Sequence, residues 1–437
     1  MVIVTISACD DPITEPTINY DALIDSHESK VVLQWNEALG SAIENNMPQA
    51  VETRIYAMVS LAMHDALNNV VPRYETYALN NGSVSLEEIT DLNISPISDA
   101  AVAQAAHDVL VALVPTYQPK ADSLLNLHLS EIDSASFRSK GVSIGVEAAS
   151  AMLAKRQNDP IPSFTSYSKG TEPGMYQANY MPYALANPPI WPEKAVYGEN
   201  IGDFTPFGIE TADQFRPNPP YAVTSNEYII DYEEVRNLGC TSCTERTADQ
   251  TEVGSFWRES TSGLMNQVAR ILANEEELNG WEAARLFALI QMAQIDANIA
   301  TFEAKYHYSY WTVVTAVRAG ESDGNDWTFG DVNWTPVSAP PTPDYPSTPA
   351  AAGAASAEIF RQFFGTDNKT FSIKATYYLP GVERNYASFS AAAAENNLSK
   401  IYLGSNFRNS VSQGERQGQQ IGKFVFENNL RELEIDI

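Results

Sequence analysis

The segment from Gly280 to Tyr310 constrains the fold of this chain more than any other stretch. Its apolar residues recur at spacings of three and four, which places them on one face of an α-helix. That stripe comprises Leu286, Leu289, Ile290, Ala293, Ala297 and Ala300. No stretch of the chain alternates convincingly with the two-residue period of a strand. We therefore predict an all-α protein with long irregular connecting segments.

The helical period recurs elsewhere along the chain. It starts near Ser26 with Val31, Val32, Trp35 and Leu39. Further helices are predicted over residues 50–69, 101–112, 141–157, 227–238, 247–257 and 263–274. Residues 91–100 are predicted to form a loop.

Two histidines stand next to aspartates within the predicted helices, in His64–Asp65 and His107–Asp108. Adjacent helical residues point in different directions. We therefore interpret both as packed or surface histidines and not as catalytic pairs.

Residues 158–226 differ in character because they are rich in Pro, Tyr, Gly and Asn. Proline removes a backbone donor and fixes φ, so long helices are excluded. The segment is too aromatic for a flexible linker. We predict an ordered excursion that wraps the helices and covers a site.

Charge and length limit the classes of function. The chain has 437 residues, 44% of them hydrophobic, and a formal charge of −28. That charge repels nucleic acid and anionic lipid surfaces, so no nucleic-acid partner is expected. No run approaches the roughly 18 apolar residues of a membrane span. A homodimer is left open.

The first residues resemble the end of a lipoprotein signal. Ile6 to Cys9 has the form of a lipobox, although the preceding apolar run is short and lacks Lys or Arg. Either the true start lies upstream, or this is an apolar N-terminus. We predict a leader and tether over residues 1–25, with a lipid anchor at Cys9 and a cell-envelope location. A single helical domain then follows over residues 26–437.

Two further clusters are given structural interpretations. Cys240 and Cys243 lack the second pair or the histidines of a zinc site, so we predict a loop disulfide or two free thiols. A cluster of four acidic residues does not have the spacing of an EF-hand. We therefore interpret it as a solvated loop and predict no metal site there. Its members are Glu321, Asp323, Asp326 and Asp331.

Three short segments in a fixed order carry the clearest functional signal, within residues 296–410. Lys305 is followed after six residues by Thr312 and Val313, Pro346-Ser347-Thr348-Pro349 comes next, and Ser399-Lys400 is followed after five residues by Asn406. Their spacing resembles the split signature of the vanadium haloperoxidase and type-2 phosphatidic acid phosphatase superfamily. That signature reads Lys, six residues, Arg-Pro; Pro-Ser-Gly-His; and Ser-Arg, five residues, His.

The resemblance extends to other landmarks and covers roughly residues 28 to 425. They are Trp35-Asn36, Arg54, the segments at 62–66, 105–108 and 214–217, and Arg285 with Phe287-Ala288. It implies a fold of two helix bundles within one domain. It also implies a cage of Lys, two Arg, Ser and a Gly backbone donor around vanadate or a phosphoryl group. One His would bond the central atom and a second would carry protons.

Most of that chemistry is replaced in this sequence. Lys305 and Ser347 match the cage, whereas Lys400 stands for the second Arg and loses its two-pronged donation. Thr312 stands for the first Arg and Asn406 for the axial His.

The Gly and the acid–base His are also replaced, by Thr348 and Pro349 respectively. Hydrogen bonds to charged groups are worth about 1.5–3 kcal/mol each. The arginine losses alone would therefore weaken oxyanion binding by roughly 3–6 kcal/mol, or two to four decades.

The pocket is predicted to include Trp311 and Arg318 beside Thr312, Thr348 and Pro349. Trp311 and its neighbouring tyrosines are interpreted as core and pocket wall. Arg318 is the best candidate to replace a missing cation, although an exposed arginine is the ordinary state.

We therefore expect a homologue without haloperoxidase activity and without a vanadate cofactor, which acts as a pseudoenzyme or binds a small molecule. One alternative is an enzyme that reuses the pocket for metal-free chemistry, with Lys305 or Lys400 in acid–base work and Ser347 or Asn406 orienting substrate. A lysine with a strongly depressed pKa would favour it. Residual phosphatase activity is a second alternative, although no nucleophile remains in the motif to form a phosphoenzyme.

Overall fold

The structure, a computed structural model, describes residues 20–43, 47–80, 88–160, 162–167, 170–178 and 195–433. Within these ranges the chain is mainly helical, as predicted. The helices are α1 (Tyr20–Asp25), α2 (Lys30–Ile43), α3 (Gln49–Val70), α4 (Ile94–Leu113), α5 (Gln118–Ser130), α6 (Ala135–Lys155), α7 (Asn226–Leu238), α8 (Ala248–Phe256), α9 (Thr261–Glu275), α10 (Gly280–Tyr308), α11 (Val313–Ala319), α12 (Thr348–Phe364), α13 (Phe389–Tyr402) and α14 (Arg408–Asn428).

Helix α10 joins two groups of helices. On one side it packs against α3, which also contacts α4 and α6, and on the other side it packs against α12 and α14. Nearly every residue of α10 from Gly280 to Lys305 is buried, including polar ones. The long helix predicted from the sequence is therefore the centre of the core. It ends where Ser309 adopts a left-handed conformation, with a φ of 49°.

The structure contains two short antiparallel strand pairs, whereas no strand was predicted from the sequence. Strand β1 (Phe164–Ser166) pairs with β2 (Ala195–Tyr197), and β3 (Phe371–Lys374) pairs with β4 (Glu383–Tyr386). Strands of three or four residues are too short to show an alternating pattern in the sequence.

The start of α4 corrects a predicted boundary. Residues 91–100 were expected to form a loop, whereas α4 begins at Ile94 and contains Pro96 in its first turn. Proline is tolerated there because the backbone N–H it lacks has no partner within a helix.

The two His–Asp pairs differ in burial, because His64 and Asp65 lie inside the fold whereas His107 and Asp108 are partly exposed. His64 and Asp65 are both fully buried. His64 Nε2 lies 3.0 Å from the carbonyl oxygen of Glu75, whereas Asp65 accepts backbone N–H groups from residues 77–79. Burial lowers the pKa of His64 to about 4. His107 instead contacts Asp108 and Asp122.

The two cysteines of the C-x-x-C pair form a disulfide between Cys240 and Cys243, one of the two predicted alternatives. In the acidic loop, Asp323 is buried and accepts hydrogen bonds from Thr328 and Asn325, so the prediction of a wholly solvated loop is wrong there. No group of three or more His, Cys, Asp or Glu side chains in the described ranges is arranged to hold a metal ion.

The predicted lipid anchor at Cys9 lies outside the described residues, as does most of the predicted tether. None of the helices in the described part of the chain is both long enough and apolar enough to span a bilayer.

Three glycines let α14 pack closely against α12. Gly414, Gly418 and Gly422 lie on one face of α14, and a Cβ on each would meet a backbone oxygen of Ser347, Ala351 or Ala355 at 2.1–2.6 Å. Backbone atoms cannot give way as a flexible side chain can. This contact fixes α14 directly beside the first turn of α12, where Ser347 lies.

We expect Gly418→Ala to lower the free energy of unfolding by roughly 1–3 kcal/mol, the usual cost of overpacking. The loss should occur even though alanine favours a helix by about 0.5–1 kcal/mol over glycine. Urea unfolding followed by circular dichroism measures it. The control Gln419→Ala, at an exposed position on the same helix, should cost little. Equal stability of the two variants would contradict the close packing.

Candidate functional site

The three motif segments meet at one cavity of about 760 Å³. Lys305 comes from the last turn of α10, Thr348 and Pro349 from the first turn of α12, Lys400 from the last turn of α13, and Asn406 from the connection to α14. Ser347 is the residue that precedes α12 and is fully buried. Its hydroxyl donates to Asn406 Oδ1 at 3.0 Å. The tertiary structure thus brings the four predicted catalytic positions together.

A carboxylate that the sequence analysis did not single out lies among these residues. Asp344 Oδ1 accepts a hydrogen bond of 2.7 Å from Asn406 Nδ2, and the side chain is 3% exposed. The backbone oxygen of Asp344 accepts from Lys305 Nζ at 3.0 Å and from Ser410 Oγ at 2.7 Å. In the sequence, Asp344 sits in a proline-rich run, where an acidic residue is usually exposed, so no local signal marked it as buried.

Lys305 and Asp344 influence each other's ionisation. Burial lowers the pKa of Lys305 to about 8, while the nearby Asp344 acts in the opposite direction. Burial raises the pKa of Asp344 to about 7, and Lys305, Asn406 and Ser410 oppose that rise. Opposite charges on these two groups keep the net charge of this corner of the cavity small near neutral pH.

Lys400 occupies a different environment. Its Nζ donates to the backbone carbonyl of Trp257 at 2.7 Å, and it is 5% exposed. Among the described residues it has no carboxylate partner. Burial alone lowers the pKa of the Lys400 ammonium to about 7.

The remaining cavity wall is largely apolar, with some charged groups. The apolar lining includes Met47, Pro48, Ile201, Trp257, Phe302, Pro340, Pro341 and Leu403. Tyr197 and Ile201 come from the described part of the excursion over residues 158–226, so that part does cover the site.

The other charged residues of the lining are Glu52, Arg258 and Glu259. Glu52 is buried, and that burial raises its pKa to about 7 although Ser260 donates to it. Glu259 accepts backbone N–H groups from Thr376, Tyr377 and Tyr378. Glu52 is thus a second carboxylic acid of the cavity wall, besides Asp344, whose pKa burial raises to about 7.

Three predicted pocket residues lie away from this cavity. Thr312 precedes α11 and caps it by accepting from the backbone N–H of Thr315. Trp311 packs in a separate aromatic cluster with Tyr228. Arg318 donates to the backbone carbonyl of Trp334 at 2.9 Å.

Neighbouring cations do not replace the missing arginines in the described structure. His307 is exposed, and Arg408 pairs with Glu234. Arg258 lines the cavity, but it is exposed and its guanidinium stacks on the ring of Tyr378 at 4.6 Å. The buried positions of the cage therefore hold two lysines and one serine, together with one neutral and one acidic side chain. These residues are Lys305, Lys400, Ser347, Asn406 and Asp344.

Comparison with known proteins finds relatives that share the sequence or the fold of this chain. The VCPO second helical-bundle domain matches residues 285–434. The vanadium chloroperoxidase of Curvularia inaequalis is 24% identical over 407 residues, which cover 77% of this chain and 66% of that protein. This chain thus spans slightly less than two thirds of the length of that relative.

Solved structures with similar folds cover most of the chain. The first bacterial vanadium-dependent iodoperoxidase structure superposes with a TM-score of 0.73 at 20% identity, covering 94% of this chain and 99% of that one. A holo-type bacterial vanadium-dependent chloroperoxidase gives a TM-score of 0.66 at 17% identity, covering 87% and 92%. The fold and the motif spacing together define a haloperoxidase-type helical protein. The matched domain, the curated relative and the solved structures together support the vanadium haloperoxidase superfamily for this chain.

The residues present do not fit vanadate as the family cage is expected to hold it. An oxyanion needs several fixed cationic donors that are free to turn toward it. Both lysine ammonium groups here already donate to backbone carbonyls, and Asn406 donates its amide N–H to Asp344. The carboxylate of Asp344 would repel a bound anion whenever it is ionised.

The buried amine of Lys400 makes stability depend on pH. Its pKa falls from 10.5 to about 7 on folding. The unfolded chain therefore keeps a proton that the folded chain has lost, and stability rises with pH across that interval. The contribution is complete above pH 10.5 and is lost as the pH falls through about 7.

We expect the stability of the wild type relative to Lys400→Met to increase by about 2–3 kcal/mol between pH 6.5 and pH 9. Urea unfolding at both pH values measures the difference. Lys423→Met is the control, because that side chain is 59% exposed. A pH-independent difference for Lys400→Met would contradict a buried amine that loses its proton near neutral pH.

Proposed function

We propose that this protein does not act as a vanadium haloperoxidase and that its cavity binds an uncharged or weakly polar small molecule instead. The observation that carries the proposal is the position of Asp344 in the cavity wall, where its backbone oxygen accepts from Lys305 and its carboxylate accepts from Asn406. The apolar lining of the cavity supports a ligand that is not a small multiply charged anion.

The number of positive charges around the cavity also supports the proposal that it does not bind a small anion. A cage of one Lys and two Arg would place three permanent positive charges around the anion. Here Lys305 and Lys400 both have depressed pKa values, near 8 and 7, and Asp344 adds a negative charge when ionised. Without strong positive charge, the cost of stripping water from vanadate or phosphate is not recovered.

We expect purified protein to show no vanadate-dependent oxidation of bromide or iodide above background. The assay uses hydrogen peroxide and orthovanadate, with the bacterial vanadium-dependent iodoperoxidase as the positive control for iodide. Vanadium nuclear magnetic resonance of the same samples tests binding directly. Stoichiometric vanadate binding together with halide oxidation would overturn the proposal.

The variant Asp344→Asn should bind anions more tightly than the wild type does. It removes the negative charge and keeps the shape of the side chain, so we expect vanadate or phosphate to bind about tenfold more tightly, equivalent to about 1.4 kcal/mol. Isothermal titration calorimetry at pH 8, where ionised Asp344 predominates, measures the change. Asp326→Asn, at an exposed position, is the matched control. Equal anion affinities in the wild type and both variants would show that Asp344 does not exclude anions.

A second candidate function, metal-free catalysis in the same cavity, is favoured by one observation. Two lysines with lowered pKa values, Lys305 and Lys400, line the cavity together with Asp344 and Glu52, whose pKa values are both raised to about 7. Groups poised to exchange protons near neutral pH are typical of general acid–base sites.

The cellular setting is also a proposal. We propose that the protein is a lipoprotein of the bacterial cell envelope, anchored through Cys9, on the basis of the lipobox-like sequence from Ile6 to Cys9. Labelling of cells with a palmitate analogue, compared between wild type and Cys9→Ser, tests the anchor. Label retained in Cys9→Ser would refute it.

A further inference from the structure

Lys400 stands at the position of a signature arginine, but a buried amine can act as a nucleophile, which a guanidinium cannot. We propose that Lys400 forms an imine with the carbonyl carbon of an uncharged aldehyde or ketone that binds in the cavity. This inference rests on the proposed reuse of the cavity for metal-free chemistry and names its substrate class and its nucleophile.

The surroundings of Nζ leave the amine able to react. Its one described hydrogen bond goes to the backbone carbonyl of Trp257, at 2.7 Å. A carbonyl oxygen accepts a hydrogen bond from a neutral amine as well as from an ammonium group, so this contact orients the nitrogen without requiring a charge. Lys400 lines the cavity, which gives a bound molecule access to it.

No carboxylate in the described structure keeps Lys400 protonated. The charged residues of the same cavity are Glu52, Arg258, Glu259, Lys305 and Asp344. Burial is the sole cause of the lowered pKa of Lys400, which falls to about 7. Roughly half of such amines are neutral at pH 7, whereas fewer than about one in a thousand ordinary lysines are. A desolvated lysine of this kind is the usual nucleophile for Schiff-base chemistry.

The charged groups on elements packed against α13 are engaged elsewhere. Arg246 donates to the carbonyls of Leu238, Cys240 and Tyr402. Arg384 is bound to Glu395, and Arg408 is bound to Glu234. These partners leave Lys400 as the buried amine of α13 that faces the cavity without an ion-pair partner in the described ranges.

The lining determines which carbonyl compound fits. Apolar side chains such as Phe302, Ile201 and Leu403 favour a hydrocarbon or aromatic body. The carboxyl groups of Glu52, Glu259 and Asp344 disfavour a carboxylate on the ligand, because like charges repel in a cavity of low dielectric constant. The expected substrate is therefore a neutral, partly apolar aldehyde or ketone.

The reaction balances without a metal or a redox partner. The lone pair of Lys400 Nζ attacks the carbonyl carbon, a C–N bond forms, and the carbonyl oxygen takes up a proton. The carbon–oxygen bond then breaks, and the oxygen leaves as water with the two hydrogens that the amine loses. The carboxyl groups of the cavity wall can supply and remove the protons in transit.

Trapping with borohydride tests the inference on the intact protein. Wild-type protein is incubated with benzaldehyde at pH 7.5, reduced with sodium borohydride and mapped by peptide mass spectrometry. We expect the benzyl label at Lys400 to exceed the average label on other lysines by at least about tenfold. We also expect less label at pH 6, where more of the amine is protonated, and less label from glyoxylate, which carries a carboxylate.

The variants give the matched comparison. Lys400→Arg keeps a cation but removes the reactive amine, so the selective label should disappear, whereas Lys423→Arg should retain it. Mapping of the wild type needs no variant and therefore does not depend on how Lys400→Arg folds. Label spread evenly over surface lysines, or concentrated at Lys305, would overturn the assignment. The halide-oxidation assay tests the proposed function separately. Neither the presence nor the absence of halide oxidation depends on whether Lys400 forms an imine.

Discussion

Two buried charged side chains of helix α10, Asp296 and Lys305, are satisfied by backbone groups of the segments that pack against the helix. A buried carboxylate costs several kcal/mol unless hydrogen bonds compensate it. Asp296, fully buried in α10, accepts the backbone N–H groups of Phe207, Gly208 and Ile209. That contact fastens the irregular excursion onto the helix. Lys305 lies in the last turn of the same helix. Its buried amine is compensated by hydrogen bonds to the backbone carbonyls of Pro343 and Asp344.

Carboxylates on other elements hold loops in the same way. Asp65 collects N–H groups from residues 77–79, and Glu259 collects those of residues 376–378. Each of these loops lacks the regular backbone pairing of a helix or sheet, so an acidic side chain supplies the acceptors. Acidic residues that contribute to the charge of −28 are thus partly a structural requirement of long irregular connections.

The cavity lies where the three segments of the signature meet, and its polar groups are bound within the protein. Lys305, Ser347 and Lys400 come from the same three segments as in the family signature, yet their hydrogen bonds go to the protein itself. Pro349, which stands for the acid–base histidine, offers only its carbonyl, and that accepts from Asn396. An environment that depresses lysine pKa values is poorly suited to gripping an anion and well suited to a neutral nucleophile.

The sequence by itself determined the helical class, the long central helix and the three spaced segments, because these depend on periodicity and spacing along the chain. It did not reveal the short hairpins, the start of α4 at Ile94 or the positions of Trp311 and Arg318 away from the cavity. The meeting of Asp344 with Lys305 and Asn406, and the isolation of Lys400 from any carboxylate in the described ranges, were decided only by the tertiary structure. The physical reason is that burial and proximity set the charge of an ionisable group, and both arise from contacts between residues distant in the chain.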